Sequence, residues 1–130
     1  MTRVLLRFPH GLGDCIQFSV VLAHLKKFRP DWIVDIKVGR GKHSALLGQC
    51  NRVYHDQEKD PAGPYDATVD IGFYENYCKY TDRVNSKVAN CLAECFGLKW
   101  DGSLGRYRCA TTPDAMHRAA AYLRTTGAVA

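Results

Sequence analysis

The chain has 130 residues, of which 46% are hydrophobic and 24% charged, and its formal net charge is +5. This length suits one domain with a core of its own, and the composition is that of an ordinary globular protein. No run of Lys or Arg exceeds two residues, and no apolar run approaches the roughly 20 residues of a membrane-spanning helix. We therefore expect neither a dedicated nucleic-acid binder nor an integral membrane protein.

The first predicted element is a strand from Val4 to Phe8, whose continuous apolar character is typical of a buried strand in a parallel sheet. Pro9 ends it, and Gly11 and Gly13 then form a tight turn that leaves room for another molecule to approach. A helix follows, and we expect its apolar face to comprise Phe18, Val21, Leu22, Leu25 and Phe28, with Gln17, His24 and Lys27 elsewhere. In open α/β sheets, ligands bind at such junctions, beyond the carboxyl ends of the strands.

Asp14, which follows this turn, has two alternative roles. It can be the N-cap of the helix, with Gln17 completing a capping box, which would stabilise the helix by about 1 kcal/mol and carry no chemistry. A carboxylate at a helix N-terminus can also face a cleft and act as a general base. The residues of the turn leave both roles open.

Two nucleotide-binding loops fit the same turn poorly. A dinucleotide fingerprint needs a third glycine where Ile16 stands, and a P-loop needs Gly-Lys-Ser/Thr where Gly13, Asp14 and Cys15 stand. Asp14 would also repel the phosphate that a helix N-terminus attracts. A nucleotide-binding Rossmann-like enzyme is therefore only an alternative interpretation.

The second predicted strand spans residues 32–38 and alternates apolar with polar residues, so we expect it nearer the edge of the sheet than the first strand. The loop after it contains Gly39, Arg40, Gly41, Lys42 and His43. Two glycines beside three potential cations make this loop a candidate for contacting an anionic group of a substrate. A flexible basic surface loop is the equal alternative.

The remaining elements alternate between strands and helices. We expect a short helix over 44–48, strands over 52–55 and 67–71, a helix over 84–96 that Gly97 ends, and a helix over 113–125 that Thr112 caps and Gly127 ends. Three tyrosines follow the fourth strand, and they suit either a sugar-binding surface or packing; they are Tyr74, Tyr77 and Tyr80.

The six cysteines do not form a metal-binding or disulfide pattern. The sequence has no C-x-x-C pair and no pair of histidines at ligand spacing, so we expect free thiols in a reducing compartment and no metal. The N-terminus also has no signal-peptide pattern, and a cytoplasmic location is the expectation.

Two stretches resemble a known family of enzymes. The run RVLLRFPHGLGD from Arg3 to Asp14, and the run VLAHLKKFRP from Val21 to Pro30, resemble the start of the heptosyltransferase-like glycosyltransferases, glycosyltransferase family 9. In that family a first strand leads to a Leu-Gly-Asp-type turn and a helix that ends in Arg/Phe-Pro. The resemblance implies the GT-B architecture, in which two Rossmann-like domains face each other across a cleft.

The fold class that we expect is therefore α/β, a Rossmann-like three-layer α/β/α domain with a small, mostly parallel sheet, the N-terminal half of a GT-B fold. Residues 1–110 would form the acceptor-binding domain, and residues 111–130 a helix leading toward a donor-binding domain absent from this sequence. The chain would then be a fragment or a natural half-protein, inactive by itself.

The resemblance implies inverting transfer of a sugar, typically a heptose, from a nucleotide-diphosphate sugar to a saccharide hydroxyl, as in lipopolysaccharide biosynthesis. Asp14 would be the catalytic base. Substrate-binding residues would be His10, Gly11, Leu12, Gly13, Arg40 and Lys42. No cofactor, metal or nucleic acid is expected; the partners are a saccharide acceptor and, through the second domain, the nucleotide-sugar donor.

Two further expectations accompany this interpretation. The mild basic charge would suit an anionic substrate or the face of an anionic membrane, although a solvated surface explains it more simply. A saccharide-binding half-protein without catalysis is an alternative function, beside the nucleotide-binding enzyme named above.

Overall fold

A computed structural model describes residues 1–73, 86–110 and 113–126. Its strands and helices follow one another as β1 (Thr2–Phe8), α1 (Leu12–Phe28), β2 (Trp32–Val38), β3 (Arg52–His55), β4 (Ala67–Asp70), α2 (Ser86–Phe96) and α3 (Pro113–Thr126). Single 3₁₀ turns lie at His43–Leu46 and Gly102–Leu104. None of the helices in the described ranges is long and apolar enough to cross a membrane.

The four strands form one parallel sheet in the order β3-β2-β1-β4. Leu6 at the centre of β1 is in register with Ile36 of β2 on one side and with Val69 of β4 on the other. The chain runs outward from β1 to β3 and then returns to place β4 on the other side of β1. This reversal makes the carboxyl ends of β1 and β4 a topological switch point, and it confirms the expected Rossmann-like α/β fold.

The hydrophobic core lies on one face of this sheet. Alternate side chains of β1 and β2, among them Leu6, Phe8 and Ile36, point to that face and are fully buried under α1 and α2. On the opposite face lie Arg3, Asp35 and Lys37, and the loop over residues 56–66 packs against them. Of the three expected layers, the described helices α1 and α2 supply one, and a polar loop covers part of the sheet's other face.

The position expected for β2 is wrong, because β2 lies between β1 and β3 rather than nearer an edge than β1. Its alternation comes from Asp35, a carboxylate that is only 1% exposed. The Tyr65 hydroxyl donates to this carboxylate at 2.7 Å and the Asn51 amide at 2.8 Å, so the buried charge is satisfied. Burial, together with this bond to Asp35, raises the pKa of the Tyr65 hydroxyl.

Helix α1 is buried on a wider surface than its apolar residues indicate. Phe18, Val21, Leu22 and Leu25 are buried as expected, but Phe28 is 40% exposed, and His24 is completely buried, contrary to the expectation. The reason is a second packing partner, an extended segment over residues 98–110 that crosses α1 on the side away from the sheet. We call this segment the strap.

Polar contacts hold the strap to α1. His24 donates from Nδ1 to the Val20 carbonyl at 2.7 Å and accepts from the Asp101 amide at 2.9 Å through Nε2. The Ser19 hydroxyl accepts from the Arg108 amide at 2.8 Å. These bonds satisfy polar groups that an irregular segment would otherwise leave without partners.

Most predicted element boundaries in the described ranges agree with the structure. The short helix expected over 44–48 is the 3₁₀ turn His43–Leu46, and Gly97 follows α2 with the positive φ of 63° expected of a C′ glycine. The predictions that concern Tyr74, Tyr77, Tyr80, Thr112 and Gly127 lie outside the described residues.

The strap provides a test of this packing. We expect Ser19→Ala to lower the free energy of unfolding by about 1–3 kcal/mol, because the Arg108 amide loses its acceptor. Ser44→Ala is the matched control, since Ser44 is exposed and should change stability little. Urea denaturation of the two variants measures the difference, and equal stabilities would show that the bond to Ser19 does not hold the strap.

Candidate active site at the switch point

Four elements meet at the switch point of the sheet. These are the turn from β1 into α1, the residues that follow β4, the first turn of α2, and the loop after β2. We call the space beside residues 10–14, residues 71–73 and Lys87 the switch crevice. In open α/β sheets a crevice at this position is where ligands bind.

Asp14 lies in the first turn of α1, but it is not the N-cap. The helix begins at Leu12, and its N-cap is Gly11, with φ −69° and ψ 171° and no side-chain capping bond. The N-cap interpretation of Asp14, with its capping box to Gln17, is therefore wrong. The reason is that the extended backbone of Gly11 starts the helix three residues earlier than a cap at Asp14 requires, so the carboxylate is available for another partner.

That partner is Lys87 in the first turn of α2. Its ammonium donates to Asp14 Oδ1 at 2.8 Å, and the two side chains are 22% (Asp14) and 23% (Lys87) exposed. The same ammonium lies 5.8 Å from the centre of the Phe73 ring. Asp14 is thus a partly exposed carboxylate whose position a cation from another helix fixes.

Sequence reasoning missed Lys87, which is separated from Asp14 by 73 positions in the chain. One local signal existed. A cation in the first turn of a helix opposes the helix dipole, so its presence there indicates a partner outside its own helix.

His10 connects the ends of β1 and β4. Its Nε2 lies 2.6 Å from the Ile71 carbonyl oxygen and 3.2 Å from the Phe73 amide nitrogen. One ring nitrogen cannot both donate and accept, and the shorter contact indicates that Nε2 carries the proton and donates to Ile71. Because Nε2 is used in this way, Nδ1 is the atom of His10 that remains for a ligand.

The glycine turn is open. A Cβ atom added to Gly11 or to Gly13 would meet no described atom within 4 Å, and Leu12 between them is 50% exposed. Neither glycine has a positive φ. Their small size is therefore not required by packing within the described residues, and it leaves the backbone of this turn accessible.

The loop after β2 sends its two cations in different directions. The Lys42 side chain folds over Gly39. Its charge also reaches the Cys15 thiol: burial raises the pKa of this thiol, and Lys42 offsets part of that rise. The Arg40 guanidinium instead donates to Gln57 at 2.8 Å, beyond the end of β3. Of the predicted site residues, the structure groups His10, Gly11, Leu12, Gly13, Asp14 and Lys42 near the crevice, whereas Arg40 points toward β3.

A cleft lies at the other end of the sheet. It has a volume of about 260 Å³ and lies between the last turns of α1 and the segments that lead into β2 and β3. Trp32, Leu25 and Arg29 line it, and among the described residues that line it there is no carboxylate or imidazole. We therefore take the crevice, which has both, as the candidate site. Within residues 1–73, 86–110 and 113–126, no cluster of side chains could hold a metal ion.

Comparisons with protein-family models, with curated proteins and with solved structures found no match to this chain.

The thiols differ in reactivity according to their burial. The described cysteines are not in disulfides: Cys15 and Cys91 are buried, Cys50 and Cys95 are partly buried, and Cys109 is exposed. Burial raises the pKa of Cys50 to about 12. For Cys91, a hydrogen bond with Cys95, followed by burial, raises the pKa.

We therefore expect iodoacetamide at pH 7.5 to modify Cys109 well before Cys15, Cys50 and Cys91, because only the thiolate reacts and burial disfavours it. Peptide mass spectrometry after timed quenching measures the order. Cys109→Ser should abolish this fast modification. Modification of Cys50 at the same rate as Cys109 would contradict the packing of the turn before β3.

Proposed function

We propose that this chain is the acceptor-side domain of an inverting glycosyltransferase, and that Asp14 is its catalytic base. The observation that carries the proposal is the position of the Asp14 carboxylate. It is partly exposed, lies at the N-terminus of α1 beside the switch point, and adjoins an open glycine turn. The resemblance of residues 3–14 and 21–30 to glycosyltransferase family 9 supports the same assignment.

In the proposed reaction, a saccharide acceptor enters the switch crevice with one hydroxyl directed at Asp14. The carboxylate takes the proton as that oxygen forms its bond to the anomeric carbon of the donor sugar. The bond from this carbon to the nucleotide diphosphate breaks, and the diphosphate leaves with the electron pair. General-base catalysis of this kind contributes on the order of 10²–10⁴-fold to a rate.

Lys87 fits this scheme as the residue that positions the base. It binds Oδ1 of Asp14 at 2.8 Å, so within the described part of the chain Oδ2 is the oxygen left for the acceptor hydroxyl. A fixed carboxylate loses less freedom when it meets the hydroxyl than a mobile one would. Lys42, whose charge reaches Cys15 next to Asp14, is the candidate for contacting an anionic group of the acceptor.

The donor would be a nucleotide sugar held by a second domain, and the acceptor a saccharide, as in lipopolysaccharide assembly. A cytoplasmic location, where thiols stay reduced, agrees with the free cysteines among the described residues. An association with the anionic face of a membrane is compatible with the net charge of +5. The proposal requires no cofactor, metal or nucleic acid.

One observation favours the nucleotide-binding alternative. Lys87 neutralises the charge of Asp14, and this weakens the argument that the carboxylate would repel a phosphate at the N-terminus of α1. The saccharide-binding half-protein shares the crevice with our proposal and differs from it only in lacking catalysis.

Calorimetry distinguishes the nucleotide alternative from the proposal. We expect residues 1–130 to bind neither ADP nor an ADP-sugar with a micromolar Kd, because the proposal assigns the nucleotide to another domain. Titration of the same chain with an acceptor saccharide is the companion experiment. A micromolar Kd for ADP that Asp14→Lys or Lys87→Glu changes would favour the nucleotide-binding enzyme.

The role of Asp14 is tested by Asp14→Asn in a protein that includes the donor domain. We expect turnover to fall by roughly 10²–10⁴-fold, because the amide cannot accept the proton. Stability should change by only about 0–1 kcal/mol, the value of a partly exposed ion pair, because Asp14 does not cap the helix.

Asp70→Asn is the matched control for this experiment. Asp70 ends the neighbouring strand β4, but its partner is Arg7 at 3.8 Å, on the face of the sheet away from α1. We expect this variant to keep its turnover. Full activity in a well-folded Asp14→Asn protein would remove the base assignment and favour the non-catalytic saccharide-binding alternative.

A further inference from the structure

Two histidines join the loops that follow β2 and β3. His43 begins the 3₁₀ turn after β2, and His55 is the last residue of β3. Their ring centroids are 5.2 Å apart and their planes are inclined by 54°. The Arg40 amide also donates to Asp56 Oδ1 at 3.1 Å, so the two loops are in contact at more than one point.

Hydrogen bonds define the protonation state of both rings. The Gly41 amide donates to His43 Nδ1 at 3.2 Å, and the Gln57 amide donates to His55 Nδ1 at 3.2 Å. A ring nitrogen that accepts a hydrogen bond carries no proton. The observed conformation of each loop therefore requires its ring to be neutral, with the proton on Nε2.

A proton added to either Nδ1 would point an N–H group at a backbone N–H group. The backbone amide would lose its acceptor, and the loop would lose the bond that shapes it. When both rings are protonated, two cations also lie 5.2 Å apart and repel each other. Histidine is the ordinary side chain that gains its proton between pH 5 and 8.

The surrounding charges affect the two rings differently. Glu58 Oε2 lies 3.9 Å from His55 Nε2. The cations on the same side are Lys37, which donates to the Glu58 carbonyl at 3.3 Å, and Arg40 and Lys42 on the loop of His43. Asp56 is the other carboxylate at this contact. The contact between the rings therefore has carboxylates on the His55 side and cations on the His43 side.

We propose that the contact between His43 and His55 is a pH-sensitive latch, closed when both rings are neutral and opened by mild acid. Opening parts the two rings and loosens the loop that carries Arg40 and Lys42, although Arg40 still joins it to Asp56 and Gln57. Because the charge of Lys42 reaches Cys15, next to Asp14, opening would move this cation and so change the binding of an anionic ligand at the switch crevice. That last consequence rests on the proposed function, whereas the latch itself does not.

NMR on the 130-residue chain tests the latch. At pH 7.5, the ¹⁵N chemical shifts of both imidazole rings should show that the proton of each ring is on Nε2. Between pH 7.5 and 5.5, the protection of the Gly41 and Gln57 amides from exchange should fall by about tenfold, which corresponds to the loss of one hydrogen bond. Protection is the amide exchange rate of an unstructured chain divided by the observed rate at the same pH, so the intrinsic pH dependence of amide exchange cancels.

His43→Gln separates the latch from general loosening in acid. Glutamine can accept from the Gly41 amide but does not titrate, so we expect the protection of Gly41 to become independent of pH in this variant. His117→Gln is the matched control, because His117 is exposed on α3 and should leave the wild-type response unchanged. The Asp101 amide, which donates to His24, reports on the rest of the fold.

Three results would overturn the proposal. The first is a proton on Nδ1 of either ring at pH 7.5. The second is constant protection of Gly41 and Gln57 from pH 7.5 to 5.5, whether or not the rings gain protons. The third is a loss of protection of the Asp101 amide in parallel with that of Gly41 and Gln57, or a pH-dependent loss at the Gly41 amide that persists in His43→Gln. Either result would assign the effect to the whole fold. None of these readouts depends on enzymatic activity, so failure of the latch is distinguishable from failure of the proposed function.

Discussion

The burial of β1 on both sides, between β2 and β4, is the constraint on which the rest of the structure depends. Three consecutive residues of β1, Val4, Leu5 and Leu6, are nearly inaccessible to solvent. The strand ends in Phe8, whose ring stacks on Phe18 of α1 with centroids 4.3 Å apart. Because the chain reverses direction beside this pair of rings, the turn between β1 and α1 lies at the carboxyl end of β1. The position of Asp14 in the first turn of α1, beyond the carboxyl end of β1, is a consequence of that packing.

The connection between β2 and β3 explains the unusual covering of α1. Parallel strands are usually joined by a full helix, whereas here one 3₁₀ turn, His43–Leu46, joins them. The strap occupies part of the resulting space and meets this turn, since the Ala110 amide donates to the Ala45 carbonyl at 2.9 Å. An irregular segment in this position cannot satisfy its own backbone, so polar residues of α1 such as Ser19 have to supply partners. This is why a helix that packs on a sheet also contains a fully buried histidine.

Local patterns predicted what depends on local physics. The apolar run of β1, the glycine turn and Gly97 each determine the structure of their own neighbourhood, and those predictions agree with the structure. Two of the failures concern partners distant in the chain. The polar alternation of β2 indicated a strand nearer the edge of the sheet than β1, because nothing near Asp35 in the sequence shows that Tyr65 and Asn51 will satisfy its carboxylate. The capping role of Asp14 failed for a local reason, because the helix already begins at Leu12 with Gly11 as its N-cap. The ion pair of Asp14 with Lys87 was missed because Lys87 belongs to another helix.

An ion pair dominates the electrostatics of the crevice. The N-terminus of α1 contributes a partial positive charge, which favours a carboxylate in its first turn. Lys87 pairs with Asp14 at 2.8 Å, so opposite charges already meet there before any ligand binds. A ligand that approaches Asp14 therefore meets an ion pair rather than an isolated carboxylate. Under the acceptor-side function that we propose, this pairing would hold the carboxylate in position for the acceptor hydroxyl.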